Sequence, residues 1–171
     1  DILLVEPGDR MGDEALSRAL GRVSHALAAA LAPDGSWLLP LERFGGAAVA
    51  AHAHMETASD GVLRTVSATK QGGGLALPAL TVAAAAMAGH RPPFAAGEPI
   101  RPGWRLAPDG VERVGAARLV AGAPVEELLA GRVVLLGVTA TGATDQLVVP
   151  VGGRNRPRPG VLVHAAVAGA L

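Results

Sequence analysis

Short runs of apolar residues, separated by glycine, proline and small polar residues, set the pattern of this chain. The run Ile2–Val5 is bounded by Pro7-Gly8 and predicts a buried strand. The run Val133–Val138 is the strongest strand signal, because a continuous series of aliphatic residues is typical of a central strand covered on both faces. These two runs therefore predict buried strands near the two ends of the chain.

The segment after the first run supports two interpretations. Asp13 is a candidate N-cap, and leucine and valine recur at helical spacing as far as Leu31, which predicts one long helix. Gly21 interrupts that helix, so a helix over Asp13–Leu20 followed by a strand over Val23–Leu31 is the competing interpretation. Because alanine is a poor strand former, periodicity by itself favours the long helix.

Two hairpins are predicted by turn residues that lie between apolar stretches. Ala47–Thr57 and Val62–Ala68 flank Asp60-Gly61, a dipeptide that supplies the positive φ angles of a tight turn. A second hairpin is predicted over Trp104–Val114, around Pro108-Asp109-Gly110. Both hairpins imply antiparallel strand pairs.

Helices and connections complete the pattern. Gly72-Gly73-Gly74 predicts a flexible connection to an alanine-rich helix over Thr81–Ala88, which ends at Gly89. Val125–Leu129 predicts a short helix ahead of Gly131. Because hairpins and crossover units coexist, we predict an α/β fold: a mixed β-sheet flanked by helices, in two or three layers, forming a single domain over residues 1–171.

Composition narrows the classes of function. The chain has 171 residues, a formal net charge of +0 and no cysteine, which excludes disulfides and cysteine-based catalysis or metal binding. A balanced charge argues against nucleic acid binding, which needs a basic excess or a clustered basic face. The one basic cluster is Arg154, Arg156 and Arg158. It is either a solvated loop, the usual role of charge runs, or a clamp for an acidic ligand.

No stretch predicts a membrane-spanning helix. The longest uncharged stretch, Gly72–Gly89, contains Pro78 and is mostly alanine and glycine, whereas a spanning helix needs about 20 strongly apolar residues. A signal peptide is not expected either, because Asp1 leads directly into an apolar run without a positive leader. A buried helix is therefore the expectation for the alanine-rich stretch.

Catalytic and metal-binding patterns are sparse. No serine lies in a G-x-S-x-G elbow, and the turn after Gly137 lacks both G-x-G-x-x-G spacing and the lysine of a P-loop. His52 and His54 stand two apart, so on a strand both point to one face, with Glu56 next on that face. These three could bind zinc, but polar residues on the exposed face of a hairpin are the simpler explanation. We therefore predict no catalytic residues, no cofactor and no metal.

Polar residues converge on one loop near the C-terminus. After the second apolar run come three hydroxyls and one carboxylate, from Thr139, Thr141, Thr144 and Asp145. Polar groups at the carboxyl end of a strand are typical of a small-molecule pocket in an α/β sheet. The alternative is structural, because Asp145 can cap the turn by accepting hydrogen bonds from loop amides. His164, in the predicted last helix, is either a ligand contact or a buried histidine bonded to a carbonyl.

The C-terminal quarter arranges these features in a recognisable order. Gly131-Arg132 opens the segment, an apolar strand ends at Gly137, and the small-residue loop closes at Asp145. Pro150 follows, and then Pro159–Ala165, which reads Pro-Gly-Val-Leu-Val-His-Ala. This order resembles the closing motif of the type-2 CHASE domain family, an extracellular sensory domain of bacterial receptors.

Upstream segments resemble the same family. Asp1–Pro7 with Asp13–Leu20 is similar to its strand, Glu-Pro turn and Asp-x-x-Leu-x-x-Ala-Leu helix, and Ser59–Arg64 is similar to its Asp-Gly-x-x-Arg hairpin. In this family a strand usually follows the helix. The resemblance therefore favours a break at Gly21 and a strand over Val23–Leu31, against the periodicity. It also implies that the N-terminal part of the domain and the membrane helices are missing from this sequence.

The resemblance implies sensing rather than catalysis. Such a domain lies on the extracytoplasmic, periplasmic or extracellular side of the bacterial membrane, tethered to it in the parent protein, and controls a cyclase or a kinase such as a histidine kinase. We expect an unknown small-molecule ligand at the Thr139–Asp145 loop and His164, transmission through the helix Val161–Leu171, no nucleic acid partner, and a homodimer. An α/β enzyme (a hydrolase or a nucleotide-binding transferase) and a non-catalytic dimerisation module are the alternatives.

Overall fold

The chain contains both helices and strands in small sheets, which confirms the predicted α/β class. A computed structural model describes residues 2–90, 97–102, 104, 110–140, 145–169 and 171, and the fold is given for these residues. The helices are α1 (Arg10–Leu20), α2 (Leu80–Met87), α3 (Ala116–Val120), α4 (Glu126–Leu129) and α5 (Gly160–Ala168), with 3₁₀ turns at Glu42–Phe44 and Gly46–Val49. The strands are β1 (Leu27–Leu31), β2 (Trp37–Leu38), β3 (Ala50–His52), β4 (Val66–Ser67), β5 (Thr69–Gly72), β6 (Leu75–Pro78), β7 (Pro99–Ile100), β8 (Gln146–Val151) and β9 (Arg154–Pro159). Helices α2 and α4 confirm the two predicted from Thr81–Ala88 and Val125–Leu129.

A mixed sheet in the order β2-β1-β3 occupies the N-terminal half. Strand β1 runs antiparallel to β2 and parallel to β3. The predicted strand Ile2–Val5 is reduced to one parallel bridge from Leu3 to Ala28, and Ile2 and Leu3 remain 41% exposed. Strand β3 pairs along one edge of β1, and β2 pairs with Ala30 and Leu31. Only a short part of β1 is therefore free to pair with Ile2–Val5.

The disputed segment after α1 is a helix followed by a strand. Helix α1 ends at Leu20, where the N–H of Gly21 bonds to the carbonyl of Ser17, and β1 begins at Leu27 rather than at Val23. The resemblance was therefore a better guide than periodicity. The poor strand propensity of alanine is overcome by pairing on both edges of β1 and by packing, since Ala29 is fully buried.

The cap of α1 is Asp9, so the prediction of Asp13 as the N-cap is wrong. The Asp9 side chain accepts a hydrogen bond of 2.9 Å from the N–H of Gly12. Asp13 lies inside the first turn and is only 7% exposed. Its carboxylate turns back to the N–H of Gly8, at 3.2 Å, and to Nη1 of Arg43, at 2.9 Å. Asp13 thus ties the helix to the following 3₁₀ turn.

The hairpin predicted around Asp60-Gly61 is present only as a turn. The N–H of Ala58 donates to the carbonyl of Val62 at 3.0 Å, but β3 and β4 do not pair. Instead β4 pairs with β7, and the N–H of Leu63 donates to the carbonyl of Val148 in β8 at 2.8 Å. Each half of the predicted hairpin therefore finds a partner distant in sequence. The predicted Trp104–Val114 hairpin has its turn outside the described residues.

The structure contains two further hairpins, in segments that the sequence predicted to be loops. Gly73 and Gly74 have φ angles of +52° and +79°, the pair that a type I′ turn requires, so the predicted flexible connection is the tight turn between β5 and β6. Likewise the arginine-rich segment is not a loop but strand β9, paired with β8 over six residues. Alternation places Arg154, Arg156 and Arg158 on one face of β9.

The run Val133–Val138 is not a strand, which corrects the prediction of the central strand. It has no regular structure, and Val134, Leu136 and Val138 are 58%, 64% and 47% exposed. A strand in the interior needs backbone partners as well as apolar side chains. Strand β8 has them in β9 and in Leu63, and its Val149 is fully buried.

Helix α5 anchors the larger of two apolar clusters. It contacts both α2 and the β8–β9 hairpin. The larger cluster comprises Leu63, Val66, Ala68, Ala79, Ile100, Val149, Val163 and Val167, and the smaller one comprises Ala29, Ala50 and Leu77 with Trp37 packed beside them. Within the described part of the chain, no helix has the length and apolar character needed to cross a membrane.

Candidate functional site

An open cavity of about 290 Å³ lies where the parallel strands end. The last residues of β1, Ala29–Leu31, form one wall, and Ala53–Met55, directly after β3, form another. Leu3, Asp145, Leu147 and His164 complete the lining. Because ligands of open α/β sheets bind outside the carboxyl ends of the strands, this cavity is the candidate functional site.

Asp145 is held at the N-terminus of α5. Its backbone carbonyl accepts the N–H of Gly160 at 3.2 Å. A Cβ atom on Gly160 would stand 2.7 Å from Cγ of Asp145, so only glycine leaves room for this carboxylate. The positive end of the helix dipole favours a negative charge there. Among the described residues, the Asp145 side chain makes no hydrogen bond or ion pair, and it lies exposed at the cavity.

His164 reaches the same cavity from one turn further along α5. It is 2% exposed, and burial lowers the pKa of its imidazole to about 4, although the nearby Asp145 carboxylate opposes the shift. The ring is therefore neutral at pH 7. The backbone of Ala53 also opposes the lowering of the pKa, and Nδ1 is buried without a hydrogen-bonding partner among the described residues.

His54 belongs to a partly exposed cluster of ionisable side chains at the rim of the cavity. Its Nε2 atom lies 3.3 Å from Oε1 of Glu56, and Lys70 pairs with the same carboxylate. The hydrogen bond from Lys70 is the largest cause that lowers the pKa of Glu56. These neighbours satisfy one another, so the group frames the cavity without leaving a free charge on Glu56.

His52 does not share a face with His54, and the zinc hypothesis for these residues is therefore wrong. His52 is 1% exposed and stacks on Trp37, with ring centroids 6.2 Å apart and planes 18° apart. Strand β3 ends at His52, so strand alternation no longer holds at His54. Within the described ranges, no group of three histidine or carboxylate side chains could hold a metal ion. The exposed-face explanation also fails for His52.

The structure brings together two of the five predicted site residues. Asp145 and His164 both line the cavity, whereas Thr139 is exposed and does not line it. Thr141 and Thr144 lie outside the described residues. The walls from β1 and β3 were missed, because the pattern of apolar residues did not show that these two strands run parallel and end side by side.

Comparison with known proteins identifies the family. The family model described as the CHASE2 domain matches residues 1–171, the whole chain, and the protein belongs to this family of extracellular sensory domains. The family is non-catalytic. Searches of curated proteins and of solved structures give no match.

Proposed function

We propose that this chain is the ligand-sensing domain of a bacterial transmembrane receptor and binds a small molecule in the cavity at the ends of β1 and β3. The observation that supports this most is the cavity itself, which lies at the carboxyl ends of two parallel strands and is lined by both Asp145 and His164. Thr141 and Thr144 remain predicted ligand contacts, whereas Thr139 does not line this cavity.

Helix α5 is the proposed transmitter. It carries His164 at the cavity and, one residue earlier and three later, the fully buried Val163 and Val167 in the main core. A ligand that binds one position of this helix more tightly shifts the population toward it. Conversion from mostly off to mostly on needs about 5 kcal/mol of differential binding. The output is a cyclase or a protein kinase elsewhere in the parent receptor, on the cytoplasmic side of the membrane.

A homodimer is part of the same proposal. The exposed aliphatic run Val133–Val138 is the observation in its favour, because monomeric proteins rarely leave contiguous apolar surface uncovered. The same run supports a non-catalytic dimerisation module as the second candidate function. The two candidates differ in whether the cavity takes a ligand.

A thermal-shift screen against small metabolites tests the sensing function. A ligand at one hundred times its Kd should stabilise the fold by about 2.7 kcal/mol. Ala30 lines the cavity, so Ala30→Met should fill it and abolish the shift. Ala117, exposed in α3, provides the matched control, and Ala117→Met should retain the shift. If every ligand found shifts both variants equally, the cavity is not the sensing site.

A further inference from the structure

The C-terminal part of the chain carries a surplus of positive charge. Residues 146–171 contain three arginines and no aspartate or glutamate, whereas the whole chain has a formal net charge of +0. All three arginines lie on strand β9, and we call Arg154, Arg156 and Arg158 the arginine stripe. A charge distribution as uneven as this turns the molecule toward a negatively charged partner.

The β8–β9 hairpin fixes the direction in which the stripe projects. Residues directly opposite each other in an antiparallel pair share a face, and Arg156 is opposite Val149 while Arg154 is opposite Val151. Val149 is fully buried in the larger apolar cluster, to which α5 contributes Val163. The stripe therefore projects on the same side of the hairpin as helix α5.

Two members of the stripe are available to a partner. The side chains of Arg154 and Arg156 are exposed, and among the described residues they form no ion pair. Arg158 is half-buried, and its Nη1 donates to the carbonyl of Pro157 at 2.8 Å. A guanidinium group that no protein carboxylate engages can bind phosphate oxygens with two parallel hydrogen bonds.

The surroundings of the stripe do not suit a protein partner. Protein interfaces are centred on a buried apolar core, but none of the exposed large apolar side chains of the described structure lies in residues 145–169 or 171. Addition of a strand to the outer edge of β9 is also disfavoured, because Pro157 and Pro159 have no N–H to offer there. These features favour a partner that is recognised by its charge alone.

The strength expected of the stripe suits a surface that is always close. Each basic residue strengthens binding to an anionic lipid surface about fivefold, so the two exposed arginines contribute about twenty-fivefold. This is weak for recruitment of a freely diffusing protein, but a domain tethered to a membrane meets that surface at a high effective concentration. The tether belongs to the proposed function, and the inference rests on it.

We infer that the arginine stripe docks on the anionic headgroups of the membrane to which the receptor is tethered, and that this contact restrains α5. Strand β9 ends at Pro159 and α5 begins at Gly160, so the docking strand and the proposed transmitter form one continuous segment. All 15 acidic residues lie in residues 1–145, which carry the compensating negative charge. Anionic lipids therefore attract the stripe and repel the acidic remainder of the chain.

The test is co-sedimentation of the chain with lipid vesicles at pH 7 and low ionic strength. Vesicles of phosphatidylglycerol and phosphatidylcholine are compared with vesicles of phosphatidylcholine alone. The partition coefficient should be about tenfold or more higher on the anionic vesicles and should fall as salt is added, because salt screens exposed charges. Arg154→Gln/Arg156→Gln should lower it about twenty-fivefold, close to the value on neutral vesicles.

The matched control is Arg18→Gln/Arg22→Gln, which removes the same charge from exposed positions at the end of α1. Its partition coefficient should stay within about threefold of that of the unaltered chain, since only the overall charge changes. Urea unfolding of each variant checks that it is folded, and the comparison of vesicles with the unaltered chain needs no variant. Equal partition on the two kinds of vesicle, or an equal loss in the two double variants, would overturn the inference.

Two further measurements distinguish the lipid surface from other anions. Polyglutamate should bind the chain more weakly than the anionic vesicles do, and tighter binding would indicate an acidic protein partner instead. Inorganic phosphate at constant ionic strength should not displace the chain from the vesicles. Displacement would indicate a site for a single phosphate ion, and either result would overturn the inference.

The outcomes also separate this inference from the proposed function. If the chain does not bind anionic vesicles but a small molecule gives a thermal shift that Ala30→Met abolishes, the docking surface is wrong and the sensing function stands. If the stripe binds the vesicles and no ligand of the cavity is found, the docking surface stands and the ligand-sensing function fails.

Discussion

At the residue scale, burial decides the charge of the two interior histidines. His52 and His164 are 1% and 2% exposed, and burial is the largest cause that lowers the pKa of each to about 4, from 6.5 in an open chain. For His52 the positive charges of His54 and Lys70 act in the same direction. In the described part of the chain, neither ring nitrogen of His52 has a hydrogen-bonding partner. Both residues therefore favour the fold only while they are neutral.

This burial makes the fold sensitive to mild acid. Between pH 6.5 and 4 the unfolded chain binds more protons at these histidines than the native chain, so the free energy of unfolding falls as the pH is lowered through that window. From pH 7 to pH 5 the expected loss is about 2 kcal/mol for each histidine. Urea unfolding at a series of pH values measures it, and this range lies above the region where most carboxylates titrate.

Substitution of His52 should separate its contribution to the acid sensitivity from that of His164. His52→Leu conserves volume beside Trp37 and removes two unsatisfied nitrogens, so it should leave the stability at pH 7 unchanged or higher and reduce the acid loss by about half. His90→Leu, at an exposed position, is the control for removing a histidine. If the free energy of unfolding falls with decreasing pH as steeply in His52→Leu as in the unaltered chain, His52 is not a source of the acid sensitivity.

At the scale of elements, β8 rather than the run Val133–Val138 contributes to the apolar core. Val149 in β8 is fully buried, whereas Val134 in the run Val133–Val138 is 58% exposed. The partner strand β9 completes the hairpin, and its prolines are compatible with an edge: Pro157 and Pro159 lie two apart, on the side that donates no hydrogen bond to β8. An outer edge poor in N–H groups also resists further strand addition.

The same isosteric substitution in both runs tests this assignment. Val149→Thr places a hydroxyl among aliphatic side chains and should lower the free energy of unfolding by about 1–3 kcal/mol. Val134→Thr alters an exposed side chain and should change it by less than about 0.5 kcal/mol. Urea unfolding of both variants measures these changes. A larger loss of unfolding free energy in Val134→Thr than in Val149→Thr would show that Val133–Val138, and not β8, lies in the core.

At the scale of the whole molecule, a neutral net charge and exposed aliphatic side chains together favour self-association. The formal net charge is +0 at pH 7, so long-range repulsion between copies is minimal. At the same time the run Val133–Val138 leaves large aliphatic side chains on the surface, with Val120 a further one at 90% exposure. A neutral molecule with uncovered apolar surface associates readily in solution.

Self-association should therefore be detectable near pH 7, where the net charge is close to zero. Static light scattering at low salt measures it. The double variant Val134→Glu/Val138→Glu should reduce the scattering at pH 7 without loss of stability, because both side chains are exposed. Unchanged scattering in this variant would place the contact elsewhere on the surface.

Features that depend on residues close together in sequence were predicted, and features that depend on distant partners were not. The Asp60-Gly61 turn, helix α2 and the helix opened by Pro159-Gly160 depend on residues close together in sequence, and all three were predicted. The proximity of Asp145 to His164 in the site could also be predicted, because the short hairpin β8–β9 returns the chain to the start of α5.

The sequence by itself determined the α/β class, the local turns and the family to which the chain belongs. Tertiary structure alone decided that β8 rather than Val133–Val138 enters the core, that β1 and β3 end side by side around a cavity, and that His52 and His164 are buried and neutral. The physical reason is that strand pairing and burial depend on partners far away in sequence. Apolar character marks a run as able to be buried, but its partners determine whether it is.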